Sequence, residues 1–448
     1  MTECLEQRLL INLARKPVNV EFSGGNLTSD GGAILLAEGD RKFQLLERIA
    51  TVIPDGRNRG YVDHSMLMLL RQRVFQIALG YEDGNDAGDM RKDPALKIAC
   101  GRLPTTEIDL ASQPTISRLE NCIKGDTLLR LHDLMLGLFL ERQIRKSKKG
   151  RLPKHMTLDL DSTCDPTHGQ QEFTSFNAHY DTHMYHPIIC TVGGDLLGVC
   201  LRPGNVGAAA GVLNWLPWVV ARIRELRPDI QLRIRGDAGF AQPEMYDYCE
   251  AEGIEYVIGL GTNSVLKRNS SKLAQKAEKA YARTKEEQRL FSGFRYQAGS
   301  WKKSRQIVVK AEVNKLGTNV RYVVHNLKNP EPETIYSVEY CGRGAMENNI
   351  KDLKNALMAD RLSCMRFEAN AFRLLIHGFT YQLMSEVRDA LSGTELATAQ
   401  YDTIRLKLFK VAALVRESTR QVRVAISSCF PRKELWNHVL DKLAPAPS

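Results

Sequence analysis

The stretch from Met156 to Leu260 restricts the fold more than any other part of the sequence. "MTLDLDST" alternates apolar and polar residues and ends in a turn, the pattern of a half-buried strand. "HPIICTV" and "LLGVCLR" follow, separated by "GGD", and read as a hairpin. "GAAAGVLNWLPWVVARIRELRP" has helical spacing and stops at Pro228. "IQLRIRGDAGF" is a further strand running into a Gly turn, "PEMYDYCEAEG" a helix closed by Gly253, and "IEYVIGL" another strand. Three strands, a helix, a strand, a helix and a strand predict a mixed α/β core. The hairpin ahead of the first crossover separates it from a doubly wound nucleotide fold. The chain also has no GxxxxGK[ST] and no GxGxxG, so no nucleotide cofactor is expected.

Two acids stand where strands of this core end. In "TLDLDST", Thr157, Asp159 and Asp161 share one face, while Leu158 and Leu160 face the other. Asp161 is the last acid of that strand, before Ser162 and Thr163. Asp237 ends "QLRIRGD", before Gly239. One strand-end Asp is usually a turn residue. Two on successive core strands are candidates for function, since functional groups gather where a rigid strand gives way to a loop.

A third acid lies on "EYCGRGAMENNIKDLKNALMADRL", residues 339–362. Wound as a helix, Arg343, Glu347, Lys351 and Lys354 fall within a stripe roughly 80° wide, and Tyr340 joins it. Met346, Ile350, Leu353 and Leu357 form an apolar stripe beside it, suited to a core. An acid framed by three bases and a phenol can take a hard cation on the carboxylate and phosphate on the bases. The plain alternative is a solvated face of i,i+4 ion pairs.

Tyr340, Arg343, Glu347 and Lys354 are spaced Y-x2-R-x3-E-x6-K. With Asp161-Ser-Thr and Gly-Asp237 upstream, residues 157–362 resemble the insertion-sequence DDE transposases of the YREK-signature group. The resemblance implies a ribonuclease H-like catalytic core with a β insertion. It implies that Asp161, Asp237 and Glu347 form a catalytic triad holding magnesium, with manganese able to replace it. Tyr340, Arg343 and Lys354 would touch DNA phosphates, with Lys351 on the same stripe. The Ser-Thr that follows selects Asp161 over Asp159. Relatives hold a flipped base with an insertion-domain aromatic, a role that would fall to Trp301, flanked by Lys302, Lys303 and Arg305. The implied activity is binding of terminal inverted repeats in double-stranded DNA, metal-dependent strand cleavage and strand transfer to target DNA, by at least a dimer on paired ends.

Two other readings compete. A catalytically silent, transposase-derived DNA-binding protein would keep the fold. A zinc hydrolase would use His179, His183 and His186, with Asp181 between them. The surrounding Gly169, Thr174, Tyr180 and Pro187 suit a loop better than a helix, and there is no HExxH.

Composition limits the rest. A chain of 448 residues with 43% hydrophobic content can bury a large core in several domains. No apolar run approaches the ~18 residues of a membrane span, and the opening residues lack a signal-peptide core. The 10 cysteines form no CxxC pair, as in a reducing compartment. A bacterial cytoplasmic protein, at the nucleoid when acting, is expected. Between Ser264 and Lys310 there are 13 Lys or Arg against 3 Glu, a local excess equal to the net charge of +10. Such a field favours a polyanion. The expected division is a mainly helical N-terminal domain (1–150) for DNA-end binding, the first part of the core (151–263) and a basic helix plus β insertion (264–326). The core is completed by the Glu347 helix (327–364), and a helical C-terminal region follows (365–448). The basic run "RQIRKSKKGRLPK" is the expected linker.

Overall fold

The computed structural model describes residues 8–10, 16, 18–328 and 331–444. Two compact units divide the chain: Ile123–Gln382, and Met1–Cys122 with Leu383–Ser448.

The Ile123–Gln382 unit begins with helix α1 (Gly125–Lys146) and is organised on one eight-stranded mixed sheet. In chain order its elements are β1 (His155–Ser162), β2 (Ile188–Val192), β3 (Asp195–Cys200), α2 (Val212–Leu226) and β4 (Gln231–Gly236). They continue with α3 (Pro243–Ala251), β5 (Glu255–Leu260), α4 (Ser264–Thr284), β6 (Gln288–Tyr296), β7 (Arg305–Asn314) and β8 (Gly317–His325). Across the sheet the order is β6-β7-β8-β5-β4-β1-β2-β3. β1, β4 and β5 run parallel, and every other pairing is antiparallel. The mixed α/β core expected from residues 156–260 is therefore present, strand for strand.

Two expectations are corrected. The β insertion is not a separate module: β8 pairs with β5, so β6, β7 and β8 widen the same sheet. The basic run 142–154 is not a free linker. Arg142 and Lys146, in the last turns of α1, both bond the buried Asp195 carboxylate, at 2.9 and 3.0 Å. Two cations offset its burial cost, and its carboxyl stays below the usual range. This packs α1 into the core unit, whose chain starts at Ile123 rather than near residue 151.

The faces of the sheet are covered differently. Leu158, Leu160, Leu232, Ile234, Tyr256 and Ile258 point into one cluster with Val219, Val220 and Ile223 of α2, Met245 and Cys249 of α3, and Leu266 of α4. Burying a Leu this fully is worth roughly 2–5 kcal/mol against Ala. The opposite face packs Val257, Val308 and Val323 on Ile335 and Tyr336, at the front of the glutamate helix. Along β7, Ile307 and Val309 enter the first cluster and Val308 the second, as the two-residue period requires.

The other unit has helices Ala33–Phe43, Leu45–Val52, Met66–Leu79 and Gln113–Asn121 before the core, and Lys433–Leu443 after it. Ser65 caps the third of these and Gly80, at φ 93°, ends it. The stretch "VNVEFSGGNLTSDGG", whose alternation and two Gly-Gly turns suggest a hairpin, does not close on itself. Val18–Val20 pairs with Arg8–Leu10, and Leu27–Thr28 joins a hairpin of Ala413–Glu417 and Val422–Ile426. That hairpin also corrects the expectation of a helical C-terminal region, which holds helix and hairpin together. The closing "PAPS", where a frayed tail is expected from the sequence, lies outside the described residues. Among the described residues, no helix is long and apolar enough to cross a membrane.

Candidate active site

Register brings the two strand-end acids together. β1 and β4 pair with Asp159 opposite Arg235. Two residues further along each parallel strand come Asp161 and Asp237, so both emerge side by side at the carboxyl ends of adjacent strands. In open α/β sheets that edge is where ligands are commonly held. Burial pushes the Asp161 carboxyl up to about 6, and the neighbouring Asp237 charge adds to the rise, while Arg343 opposes it. Asp237 also caps the turn that follows, accepting from Gly239 N at 2.9 Å.

The glutamate helix reaches this edge from the second face. It runs unbroken from Pro332 to Ala356 but changes pitch: π over Ile335–Tyr340, 3-10 over Cys341–Arg343, α over Gly344–Lys351 and π again over Asp352–Ala356. π turns are rare and tend to mark functional places. Met346, Leu353 and Leu357 are buried as the apolar stripe required, and Ile350 is partly buried. Asn349, which nothing in the spacing singles out, is buried too, and its Nδ2 donates to Gly193 O at 2.7 Å.

The side chains of the basic stripe diverge. Arg343 Nη1 donates to Asp161 Oδ2 at 2.8 Å, and its guanidinium also feels the charges of Asp237 and Glu347. Tyr340 lies against Gly259, where a Cβ would come 2.7 Å from the phenol oxygen. Burial, with Asp237 nearby, holds the Tyr340 proton on. Lys354 turns to the loop after Asp161, donating to Thr163 Oγ1 at 3.1 Å and to Cys164 O, with Asp165 at 3.7 Å and Asp360 at 3.6 Å. Glu347 and Lys351 are exposed. Arg343 and Lys354, expected on phosphates, are thus held by protein oxygens, because half-buried cations take the nearest acceptors.

Asp159 has a separate task. It is 2% exposed, and Arg235 forks onto both of its oxygens, at 2.5 and 2.8 Å. Arg235 Nη1 also donates to Glu339 O at 2.9 Å, and Arg233 pairs with the Glu339 carboxylate. The strand that ends in Asp237 therefore ties down the front of the glutamate helix. The residues between Asp165 and Tyr185 form a small three-stranded sheet, not a helix, so the i,i+4 spacing of His179 and His183 does not pair them. His179 meets the Tyr180 ring, His183 the Phe176 ring, and His186 Nδ1 lies 2.9 Å from Val206 O. Tyr180 itself stands near Asp161 and Asp237, whose charges help raise its phenol.

Trp301 is corrected. It is 6% exposed and packs edge-on to Tyr246 and Tyr296, with Arg305 over its ring. Arg305 is 3% exposed and bonds Glu250 and Asp247, so both side chains are buried and neither is open at the surface. Lys302 and Lys303 are exposed but paired with the same two acids, at 2.8 and 3.1 Å. The charge that remains open lies on α4. Leu266, Ser270 and Ala277 face inward there, while Lys267, Arg268, Lys272, Lys276, Lys279 and Arg283 are exposed.

The acids offer oxygen donors only, a set suited to a hard divalent cation, and Arg343 supplies positive charge at that spot. Among the described residues, no three His, Cys, Asp or Glu side chains stand close enough to hold a metal together. Glu347 would have to close on the two aspartates to complete such a set.

A family model described as "Transposase DDE domain group 1" matches residues 11–448. No curated protein matches the chain. Among solved structures, a cryo-EM structure of the piggyBac transposase synaptic complex with hairpin DNA aligns at 11% identity and a TM-score of 0.38. The alignment covers 93% of this chain and 86% of that one. Likeness at that level is too slight to transfer any detail. Members of the DDE transposase family use divalent metal ions. With the family model spanning nearly the whole chain, the protein belongs to the DDE transposases and is an enzyme of DNA transposition.

Proposed function

We propose that Asp161, Asp237 and Glu347 are the catalytic triad of a ribonuclease H-like core. The protein would bind the terminal inverted repeats of its own element, cut at the element ends and join them to target DNA. The observation that carries this reading is the placement of Asp161 and Asp237 at the ends of adjacent parallel strands, with Arg343 in reach of both and of Glu347.

The three carboxylates would hold magnesium, which when bound activates the attacking oxygen and stabilises the leaving one. Asp161 and Asp237 face the reacting phosphate from the rigid sheet, and Glu347 meets them from the helix. Arg343 leaves Asp161 for the phosphate of the strand being cut, and Tyr340 lines the approach above Gly259. Lys354 keeps the loop after Asp161 in place, and Lys351 lies on the open side of the helix, toward the DNA backbone. A water or a 3′-hydroxyl as nucleophile gives cleavage or strand transfer in the same site. Two copies acting on paired ends, in a bacterial cytoplasm, complete the reading.

Ala variants of each acid test it. Each should shift end DNA in a gel as the parent does, yet fail to nick it with magnesium. Normal nicking by any one of them removes that residue from the triad.

A further inference from the structure

The small sheet of the Met1–Cys122 and Leu383–Ser448 unit has one packed face and one bare face. Pairing sets Ala413 opposite Ile426, Val415 opposite Val424 and Glu417 opposite Val422, with Ala413 and Val415 buried. On the other face Arg416 lies directly opposite Arg423, and both are exposed. Arg420 is exposed in the loop between them, which Ser418 N closes on Gln421 O at 2.9 Å.

Like charges directly opposite one another destabilise a sheet. Nothing here compensates: among the described residues, none of the three arginine side chains has an ion pair or hydrogen bond. The one carboxylate of the hairpin, Glu417, lies on the other face and is spent on Thr105 and Thr106. It accepts from Thr105 N at 2.8 Å, Thr105 Oγ1 at 2.5 Å, Thr106 N at 3.3 Å and Thr106 Oγ1. These bonds fasten the hairpin at its loop end and leave its arginines without an acid.

The geometry points to the Arg416–Arg420–Arg423 face as a docking surface for the sugar-phosphate backbone of duplex DNA. Side chains directly opposite on paired strands stand about 5 Å apart, so two guanidinium forks can grip one stretch of backbone. DNA is the polyanion that the activity of this enzyme brings to it, and bound phosphate would replace the repulsion between Arg416 and Arg423 with attraction. The contact reads charge and not sequence. It does not depend on which acids are catalytic, and its test measures binding alone.

The full-length protein with Arg416→Gln, Arg420→Gln and Arg423→Gln would be compared with the parent for binding a random-sequence 30-base-pair duplex between 50 and 200 mM salt. The slope of log K against log salt should fall by about 2.7, roughly 0.9 per phosphate contact, which is ~40-fold over that salt range. Its thermal midpoint should be no lower than the parent's, because the substitutions remove repulsion. The variant with Arg416→Lys, Arg420→Lys and Arg423→Lys keeps the charge and should keep the parental slope. An unchanged slope in the Gln variant overturns the proposal. So does a lowered midpoint, which would make the arginines structural, or a slope lost equally in the Lys variant.

Discussion

Arg343 Nη1 stands 2.8 Å from Asp161 Oδ2, joining the glutamate helix to a strand that precedes it by 182 residues. In the proposed site this guanidinium sits on an acid that would hold metal. It follows that Arg343→Lys should slow single-turnover nicking of a pre-bound end. A lysine keeps the charge but loses the planar fork. The defect should exceed that of Lys354→Arg, while Ala at the exposed Asn348 and Asn355 should be nearly silent. A large defect at Asn348 with none at Arg343 would mean that the helix presents another face to DNA.

The burial of Asp161 has a signature in stability. Its folded pKa, about 6, is raised above the ordinary 3.8, so the folded state holds the proton more tightly than the unfolded chain. Stability therefore falls as pH rises from about 4 to 6, and the penalty is complete above 6. Asp161→Asn should be more stable than the parent by ~1–3 kcal/mol at pH 7.5 and no different below pH 4, read from urea melts. Magnesium should narrow the gap by stabilising only the parent.

Arg235 and Asp159 form a buried pair whose two halves are unequal to lose. Arg235→Ala leaves an unpaired carboxylate inside the sheet and should cost about 3–5 kcal/mol. Adding Asp159→Asn should recover much of that in the melt. Nicking should not recover, because Glu339 O would still lack its donor and the helix one of its two tethers. Full recovery of nicking would show that Arg235 matters for stability alone.

The basic helix and Trp301 should separate in a binding experiment. Lys272→Gln with Lys279→Gln should lower the salt slope by about 1.8 with little change in stability. Trp301→Ala should leave the slope alone and destabilise by ~3–5 kcal/mol, as for a buried aromatic. A lower slope in a folded Trp301→Ala protein would restore the base-holding role.

The core could be read from the sequence because each of its elements follows a local rule. "TLDLDST" and "QLRIRGD" alternate, and the acids fall where the alternation stops. The parallel register of Asp161 and Asp237 then follows from the sheet. What stayed hidden is tertiary or irregular. No spacing announces the π turns at Tyr340 and Lys354 or the 3-10 turn at Arg343, so a uniform 100° step brought Glu347 and Lys354 to one stripe that the folded helix splits. Trp301 sits among lysines in sequence, but the rings that bury it, Tyr246 and Tyr296, come from other elements. Arg235 looked like an ordinary strand residue because its partner Asp159 is 76 residues away. The C-terminal hairpin is different: "LVRESTRQVRVAI" does alternate around a polar turn, and the Leu, Arg and Lys content of the surrounding region hid a legible signal.

One sheet carries both the strands that end in the acids and the strands that support α4, and this gives the enzyme a ruler. α4 leaves the carboxyl edge right after β5, following a three-residue link from Leu260, and runs for 21 residues, about 30 Å, along the face opposite the glutamate helix. Its open cations are spaced from Asp161 and Asp237 by hydrogen-bonded strands and not by a hinge. If α4 grips a DNA phosphate as proposed, the distance along DNA from that phosphate to the cut is set by strand count and pitch. Residues added at the β7–β8 turn should leave the cutting position unmoved, whereas one residue slipped into β5 should displace it.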